Sequence, residues 1–155
     1  MSRYRTIIRW VFAVAFMAGG VVHLVMGRTA PESYGAFGHT AAWGVLSELW
    51  SAFVIPNIAW LTLIFAALEI MAGLGLLLGG RWTRLAVIGI LAFFAFLLVL
   101  GCGWPTAGAL DDVAKNRAGT LLMAALLILI LAERTPRPLI GRPQLTLGRR
   151  DTSRG

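Results

Sequence analysis

The sequence predicts an all-α integral membrane protein whose main body is a bundle of four spanning helices. Hydrophobic residues make up 58% of its 155 residues and charged residues only 14%. The mean hydropathy of +0.78 is far above the balance of soluble domains. The apolar residues are also grouped in blocks of about twenty, which is the length of a helix that crosses a bilayer. The length of the chain fits one domain.

Four apolar blocks define the predicted spans, at about 7–27, 57–79, 82–101 and 114–132. The second block begins just after Pro56, and proline suits the first turn of a helix because its missing N–H has no helical partner there. The uncharged core of the fourth block is short, so we expect this helix to begin earlier and to include Lys115 and Arg117. The remaining chain, 134–155, is rich in Arg, Pro and Gly and is predicted to be a basic, mostly disordered tail.

The long connection between the first two spans contains the segment AAWGVLSELWSAF. Its apolar residues recur at helical spacing, at Trp43, Leu46, Leu49, Trp50 and Phe53. The pattern predicts an amphipathic helix at about 41–54 that lies on the outer membrane surface or caps the bundle. The alternative is a lid over an outward-facing pocket.

Basic residues flank the spans unequally. One side holds most of them, in the N-terminal flank, the turn after the second span and the tail: Arg3, Arg5, Arg9, Arg81, Arg84, Arg134, Arg137, Arg142, Arg149, Arg150 and Arg154. The other side holds Arg28, Lys115 and Arg117. Basic flanks stay in the cytoplasm, which predicts a multi-pass protein of the plasma (inner) membrane with both termini cytoplasmic. The net charge of +7 follows from these flanks, and no basic patch is interleaved with aromatic residues as nucleic-acid binding would require.

The sequence holds few residues for metal or disulfide chemistry. Cys102 is the one cysteine, and neither a C-x-x-C pair nor a zinc-binding spacing is present, so no metal site is expected. Cys102 is predicted to be a small residue near the outer interface, with a redox-active or partner-linked thiol as the alternative. No flavin or Fe–S motif occurs, and His39 falls in a loop rather than opposite a second histidine.

Glu69 lies in the middle of the second span, in LIFAALEIMAGLGLLLGG. Ionisable residues inside a span are rare and usually face the protein interior. With a rise of about 1.5 Å per residue, His23, Arg117 and Thr120 fall at the depth of Glu69 to within about 5 Å. We therefore predict a polar cluster of these four residues as the candidate ligand-binding site, with Glu69 and His23 as the candidate catalytic residues.

A purely structural role is the alternative for this polar layer. Arg117 would then extend towards the headgroups or pair with Asp111 or Asp112, and the layer would only fix the register of the helices. Small residues also predict close packing of the first two spans. They are Ala15, Ala18, Gly19 and Gly20 in the first span and Gly73, Gly75 and Gly79 in the second, where Gly75 and Gly79 form a GxxxG motif.

Two stretches of the chain resemble a known family. The first span, RWVFAVAFMAGGVVH, starts with Arg, has a Gly-rich middle and ends near a polar residue. The second stretch, LEIMAGLGLLLGGRWTRLAVIGILAFFAF, covers parts of the second and third spans: it has a Glu followed by glycines, then a Gly-Arg turn, then the third helix. Over about 7–30 and 56–132 the chain resembles the DoxX-like family of small four-helix membrane proteins. Most of the resemblance rests on Glu69, Gly73, Gly79 and Arg84. His23, where the family often has Lys, and the long segment 28–55 depart from its pattern.

The resemblance implies a four-helix membrane fold and, from some members, a role in quinone-linked sulfur oxidation or in membrane oxidoreductase assemblies with partner proteins. The expected function is a membrane component of an oxidoreductase-type system. A quinone head group would sit between helices, with Glu69 and His23 handling protons and Arg117 holding a carbonyl oxygen. Since the sequence supplies no electron carrier, this role needs an oxidoreductase partner protein or a diffusing quinone.

Two other functions are compatible with the sequence. The first is a non-catalytic membrane anchor or assembly subunit, in which Glu69 would tolerate replacement by Gln. The second is a small transporter, which is less favoured because only four spans are predicted and no convincing internal repeat is visible.

Overall fold

Four long helical rods form the body of the protein in a computed structural model that describes residues 3–132 and 136–140. In chain order the helices are α1 (Arg3–Thr29), α2 (Gly35–His39), α3 (Gly44–Leu49), α4 (Ile58–Leu78), α5 (Gly80–Leu100), α6 (Ala109–Asp112) and α7 (Ala118–Leu131). Within the described residues there is no β-strand. Within the described residues, 4 helices are long and apolar enough to cross a membrane. The predicted all-α membrane bundle is therefore confirmed.

The second rod is longer than the predicted span. Helix α3 continues through a π turn (Trp50–Val54) and a 3-10 turn (Ile55–Asn57) into α4, so the rod covers 35 residues from Gly44 to Leu78. The helix predicted at about 41–54 is present from Gly44, but it is the first part of this rod rather than a separate element. Pro56 accounts for the irregular turns, because it has no N–H to offer the carbonyl four residues earlier.

The fourth rod has a similar irregularity. Helix α6 runs through a π turn (Val113–Arg117) into α7, which gives a rod of 23 residues, Ala109–Leu131. This span therefore begins earlier than its uncharged core and includes Lys115 and Arg117, as expected. A π turn widens the helix and changes which face each following side chain presents.

Helix α1 packs along α4, α4 packs against α5, and α5 packs against α7. The α1–α4 contact is close because glycines lie in it: a Cβ on Gly73 would come within 2.8 Å of the carbonyl oxygen of Ala13. The predicted close packing of the first two spans is observed. The GxxxG motif is not part of it, since Gly75 faces Ala86 of α5 and Gly79 lies in the turn after α4.

The two ends of the bundle are built differently. We name the end with the α4–α5 connection the turn end, and the end with the connections 30–43 and 101–108 the loop end. At the turn end, Gly79 and Gly80 join the two helices with φ angles of +80° and +56°. These are left-handed conformations that glycine adopts at little cost, so the connection needs no further residues.

Arg9 organises the turn end from inside the bundle. Its side chain is fully buried, with 0% exposure. The guanidinium donates to the Leu76 carbonyl of α4 from Nε at 3.0 Å and from Nη2 at 2.5 Å. Nη2 also donates to Thr83 Oγ1 of α5 at 3.1 Å. Arg9 therefore ties α1 to the last turn of α4 and to the first turn of α5.

A short part of the predicted tail lies against the turn end. The guanidinium of Arg9 donates to the Arg137 carbonyl at 2.7 Å, and Leu139 N donates to the Leu77 carbonyl at 2.8 Å. The chain also passes directly over the glycine turn, because a Cβ on Gly79 would lie 2.5 Å from Pro138 N. Residues 136–140 are thus packed against the bundle, and the rest of the tail lies outside the described residues.

Asn116 organises the loop end. It is fully buried, at 0% exposure. Its Oδ1 accepts the backbone N–H groups of Cys102 at 3.2 Å and Trp104 at 2.9 Å. Its Nδ2 donates to the Trp104 carbonyl at 3.1 Å and to Asp112 Oδ1 at 2.9 Å. The connection after α5 is therefore held against the π turn of the fourth rod.

Candidate ligand site at Glu69

Glu69 and His23 meet at the α1–α4 contact. Oε1 of Glu69 lies 3.5 Å from Nε2 of His23, and the two side chains are only 13% and 20% exposed. The missing side chain of Gly19 makes room for the carboxylate, because a Cβ there would be 2.5 Å from Oε2 of Glu69. The close packing of α1 on α4 therefore sets the position of the carboxylate.

The second carboxylate oxygen has no donor. Oε2 of Glu69 is buried and makes no hydrogen bond to any residue that the structure describes. A buried acceptor left unpaired costs roughly 1–3 kcal/mol, and native structures rarely leave one unless it has a function. This oxygen is therefore the atom of the site that most needs a partner.

Tyr34 extends the pair towards the loop end. It lies in a 3-10 turn, Pro31–Tyr34, that follows α1, and its hydroxyl is 2.7 Å from Nδ1 of His23. Glu69, His23 and Tyr34 thus form a continuous row in which the imidazole contacts a different polar group through each ring nitrogen.

The phenol of Tyr34 is kept in its neutral form. Burial raises its pKa above the usual value of 10.0, and the nearby negative charge of Glu69 raises the pKa further. A neutral phenol can both donate and accept a hydrogen bond. Tyr34 is therefore available at neutral pH as either donor or acceptor towards His23.

Aromatic rings hold the row in place. The His23 ring stacks on Tyr34, with centroids 5.6 Å apart, and lies 5.8 Å from Phe65. The indole of Trp50 donates to the Tyr34 carbonyl at 2.8 Å. Because Trp50 lies in the π turn before α4, this bond connects the start of the second rod to the 3-10 turn.

A groove between α4 and α5 ends at Glu69. It has a volume of about 520 Å³, which is within the range of roughly 300–1,000 Å³ typical of ligand pockets. Glu69 is the one ionisable residue among those that line it; the others include Phe16, Phe65, Leu68, Met71, Leu74, Leu78, Trp82, Leu85, Gly89 and Phe93. Several of these, such as Met71 at 61% and Leu85 at 57%, are exposed on the apolar surface. In a bilayer the groove would open directly to lipid.

Arg117 does not join Glu69. Its guanidinium pairs with the carboxylate of Asp112 and donates to the Thr40 carbonyl at 2.9 Å. This is the structural arrangement that the sequence left as the alternative. In a π turn residues five apart share a face, so Asp112 and Arg117 meet there, whereas regular α-helical spacing placed Arg117 with Thr120.

Thr120 also lies away from Glu69. It is buried at 2% exposure, and its hydroxyl is 3.9 Å from Cys102 Sγ. The thiol donates to the Asn116 carbonyl at 3.3 Å, so Cys102 is packed into the loop-end hydrogen bonds. Of the four residues predicted to cluster, the structure brings together Glu69 and His23 and places Arg117 and Thr120 elsewhere.

Three residues of this site, Tyr34, Gly19 and Phe65, were not predicted from the sequence as site residues. Tyr34 lies in a connection with no helical pattern, so its depth could not be estimated. Gly19 was recognised only as a packing residue, and Phe65 only as part of an apolar block. The one available signal was composition, since Tyr34 is one of just 2 tyrosines in the chain. No group of three His, Cys, Asp or Glu side chains suited to a metal ion occurs in residues 3–132 and 136–140.

Comparisons with protein-family models, with curated proteins and with solved structures return no match. The class of the protein therefore follows from its fold and site alone. It is a multi-pass helical membrane protein in which an apolar groove leads from the outer surface of the bundle to a buried carboxylate.

Proposed function

We propose that this protein binds a lipid-soluble quinone in the α4–α5 groove, as the membrane component of an oxidoreductase-type system of the DoxX-like kind. The observation that carries this proposal is the row of Glu69, His23 and Tyr34 at the inner end of a groove open to lipid. A quinone combines an apolar tail with a ring that exchanges protons and electrons. The groove offers an apolar channel for such a tail and a proton-binding carboxylate for such a ring.

Each part of the site has a separate role in this proposal. The carboxylate of Glu69, at the inner end of the groove, accepts a hydrogen bond from a ring hydroxyl. His23 holds the carboxylate through Oε1. Phe16, Phe65 and Phe93 surround the same end of the groove and provide faces on which an aromatic ring can stack. Arg117 forms an ion pair with Asp112, so it is not assigned a role in holding a quinone carbonyl oxygen.

The protein acts together with an oxidoreductase partner protein, because quinone chemistry needs a second redox group and the sequence holds no motif for one. We place the turn end in the cytoplasm of the plasma (inner) membrane, together with both chain termini. The exposed residues Arg81 and Arg84 at this end support that orientation. The loop end, with Tyr34, would then face the outside.

Replacing Glu69 with Gln is expected to weaken quinone binding about tenfold, which corresponds to ~1.4 kcal/mol. The amide keeps the shape of the carboxylate but is a weaker acceptor and cannot take up a proton. Binding is measured by titrating a short-chain benzoquinol, the reduced form whose ring hydroxyl can donate to Glu69, into detergent-solubilised protein and following tryptophan fluorescence, since Trp82 lines the groove. Glu48→Gln is the matched control, because Glu48 is exposed on α3.

Native mass spectrometry of protein extracted gently from its own membrane supplies the independent readout. A copurifying quinone that is lost in Glu69→Gln and kept in Glu48→Gln would support the proposal. A stoichiometric protein partner with no quinone, unchanged by Glu69→Gln, would instead establish the non-catalytic anchor. A phospholipid in the groove of both variants would also overturn quinone binding.

Gly89→Ala is expected to weaken quinone binding roughly tenfold without loss of stability. A Cβ at Gly89 would meet no protein atom within 4 Å, and alanine is favoured over glycine in a helix by about 1 kcal/mol. The new methyl group would project into the groove, where it would compete with the ligand for space. Thermal unfolding and the same fluorescence titration measure the two effects, and unchanged affinity would place the ligand elsewhere.

A further inference from the structure

We propose that His23 and Tyr34 form a proton path that connects Glu69 to the side of the membrane at the loop end. This inference rests on the ligand site proposed above, because it assigns the destination of the proton that Glu69 exchanges there. It adds Tyr34, which no sequence pattern placed beside Glu69 and His23, and its labelling test needs no bound quinone.

The contacts of the imidazole carry the inference. Nε2 of His23 faces Oε1 of Glu69 at 3.5 Å, and Nδ1 is 2.7 Å from the hydroxyl of Tyr34. An imidazole can accept a proton at one ring nitrogen and release another from the opposite nitrogen.

The transfer is balanced in protons and charge. The carboxylic acid of Glu69 gives its proton to Nε2 of His23, while the proton on Nδ1 moves to the phenol oxygen of Tyr34. The phenol of Tyr34, a residue only 6% exposed, releases its own proton in the direction of the loop end, and the carboxylate remains on Glu69. Tautomer exchange of His23 and rotation of the Tyr34 hydroxyl restore the two relay residues, and Glu69 is protonated again from the groove. The net result is one proton moved from the groove to the loop side.

The opposite direction lacks comparable groups. Towards the turn end, the next buried polar contacts are those of Leu76 O with Arg9 and Thr83, about 10 Å further along α4. The intervening core is built from apolar side chains such as Phe12, Phe16 and Phe94. On the groove side, α5 contributes apolar residues and Trp82. Within the described chain, the titratable groups in contact with this row are therefore its own members.

Sided labelling with dicyclohexylcarbodiimide tests the path. This apolar reagent dissolves in the bilayer and reacts with a carboxyl group only while that group is protonated. The full-length chain is placed in phospholipid vesicles with a known orientation, and the pH is stepped on one side while the other side is held constant. Mass spectrometry of Glu69 gives the labelling rate, with Glu69→Gln as the blank.

We expect the labelling rate in the wild type to follow the pH on the loop side and to ignore the pH on the turn side. Tyr34→Phe removes the hydroxyl but keeps the ring stacking, so the change in its labelling rate after a loop-side pH step should be at least about tenfold smaller. Tyr4→Phe is the matched control, since Tyr4 is exposed near the start of α1, and it should respond as the wild type does.

A change in labelling rate as large in Tyr34→Phe as in the wild type would overturn the path, and so would labelling that follows the turn-side pH. Absence of labelling at every pH would overturn it too, because Glu69 would then not take up a proton. Quinone binding is measured in the same vesicles by fluorescence. Lost sidedness with intact quinone binding refutes the path alone, whereas sided labelling without quinone binding refutes the proposed ligand and leaves the path in place.

Discussion

Replacing Arg9 with Met is expected to lower the free energy of unfolding by about 3 kcal/mol or more. The guanidinium donates to Leu76 O, Thr83 Oγ1 and Arg137 O, and hydrogen bonds from a charged donor are each worth roughly 1.5–3 kcal/mol. Methionine fills most of the volume but leaves these acceptors without their donor in a buried place. The loss should be largest at the turn end, where α1, α4, α5 and the segment 136–140 are joined.

Arg84→Met is the control for this prediction. Arg84 lies at the same end of the bundle and carries the same charge, but its side chain is exposed, and exposed charges contribute little to stability. The midpoint of thermal unfolding in a mild detergent should fall clearly for Arg9→Met and remain nearly unchanged for Arg84→Met. Equal midpoints for the two variants would show that Arg9 acts only as a basic flank.

The spans could be predicted from the sequence because they depend on one property, the length of a predominantly apolar stretch. A helix in a bilayer must be apolar over about 20 residues, and this condition is visible in composition alone. Composition did not predict that the second span continues a helical rod that begins at Gly44. The apolar surface of the segment before Pro56 is compatible with a surface helix and with an extended span, and the π turn at Trp50–Val54 has no pattern of its own in the sequence.

The candidate site could be predicted only in part, because the sequence gives the depth of each residue along its helix but not the direction in which its side chain points. Glu69 and His23 share a depth, and the glycine-rich contact of α1 with α4 also turns them towards each other. Arg117 shares a similar depth, but the π turn at Val113–Arg117 directs it to Asp112. The rise per residue does not say on which side of the helix a side chain lies. Regular α-helical spacing would give that side, but a single π turn shifts it for the residues that follow.

Arg9 shows how one residue can satisfy two requirements. As a basic residue near the start of the first span, it fits the distribution that orients membrane proteins. Its complete burial also makes it the residue that fixes the end of α4. The sequence pattern accounts for the first role, while the second depends on the position of Leu76 and Thr83, which are distant in sequence and unremarkable in type.

Gly19→Ala is expected to separate Glu69 from His23 and to weaken quinone binding by at least about tenfold. The added Cβ would lie 2.5 Å from Oε2 and 3.3 Å from Cδ of Glu69, closer than packed atoms approach. The obstacle is the end of a flexible side chain rather than backbone, so the fold should survive at a cost of roughly 1–3 kcal/mol from overpacking. The carboxylate itself is retained, and only its position changes.

Gly119→Ala is the matched control, because a Cβ on Gly119 would meet no atom within 4 Å. Stability and quinone affinity should both be preserved in that variant. Comparison of Gly19→Ala with Glu69→Gln then distinguishes the position of the carboxylate from its charge. If the site depends on the alignment of Glu69 with His23, both variants lose the ligand. If Gly19→Ala binds quinone as tightly as Gly119→Ala, the alignment of Glu69 with His23 has no part in quinone binding.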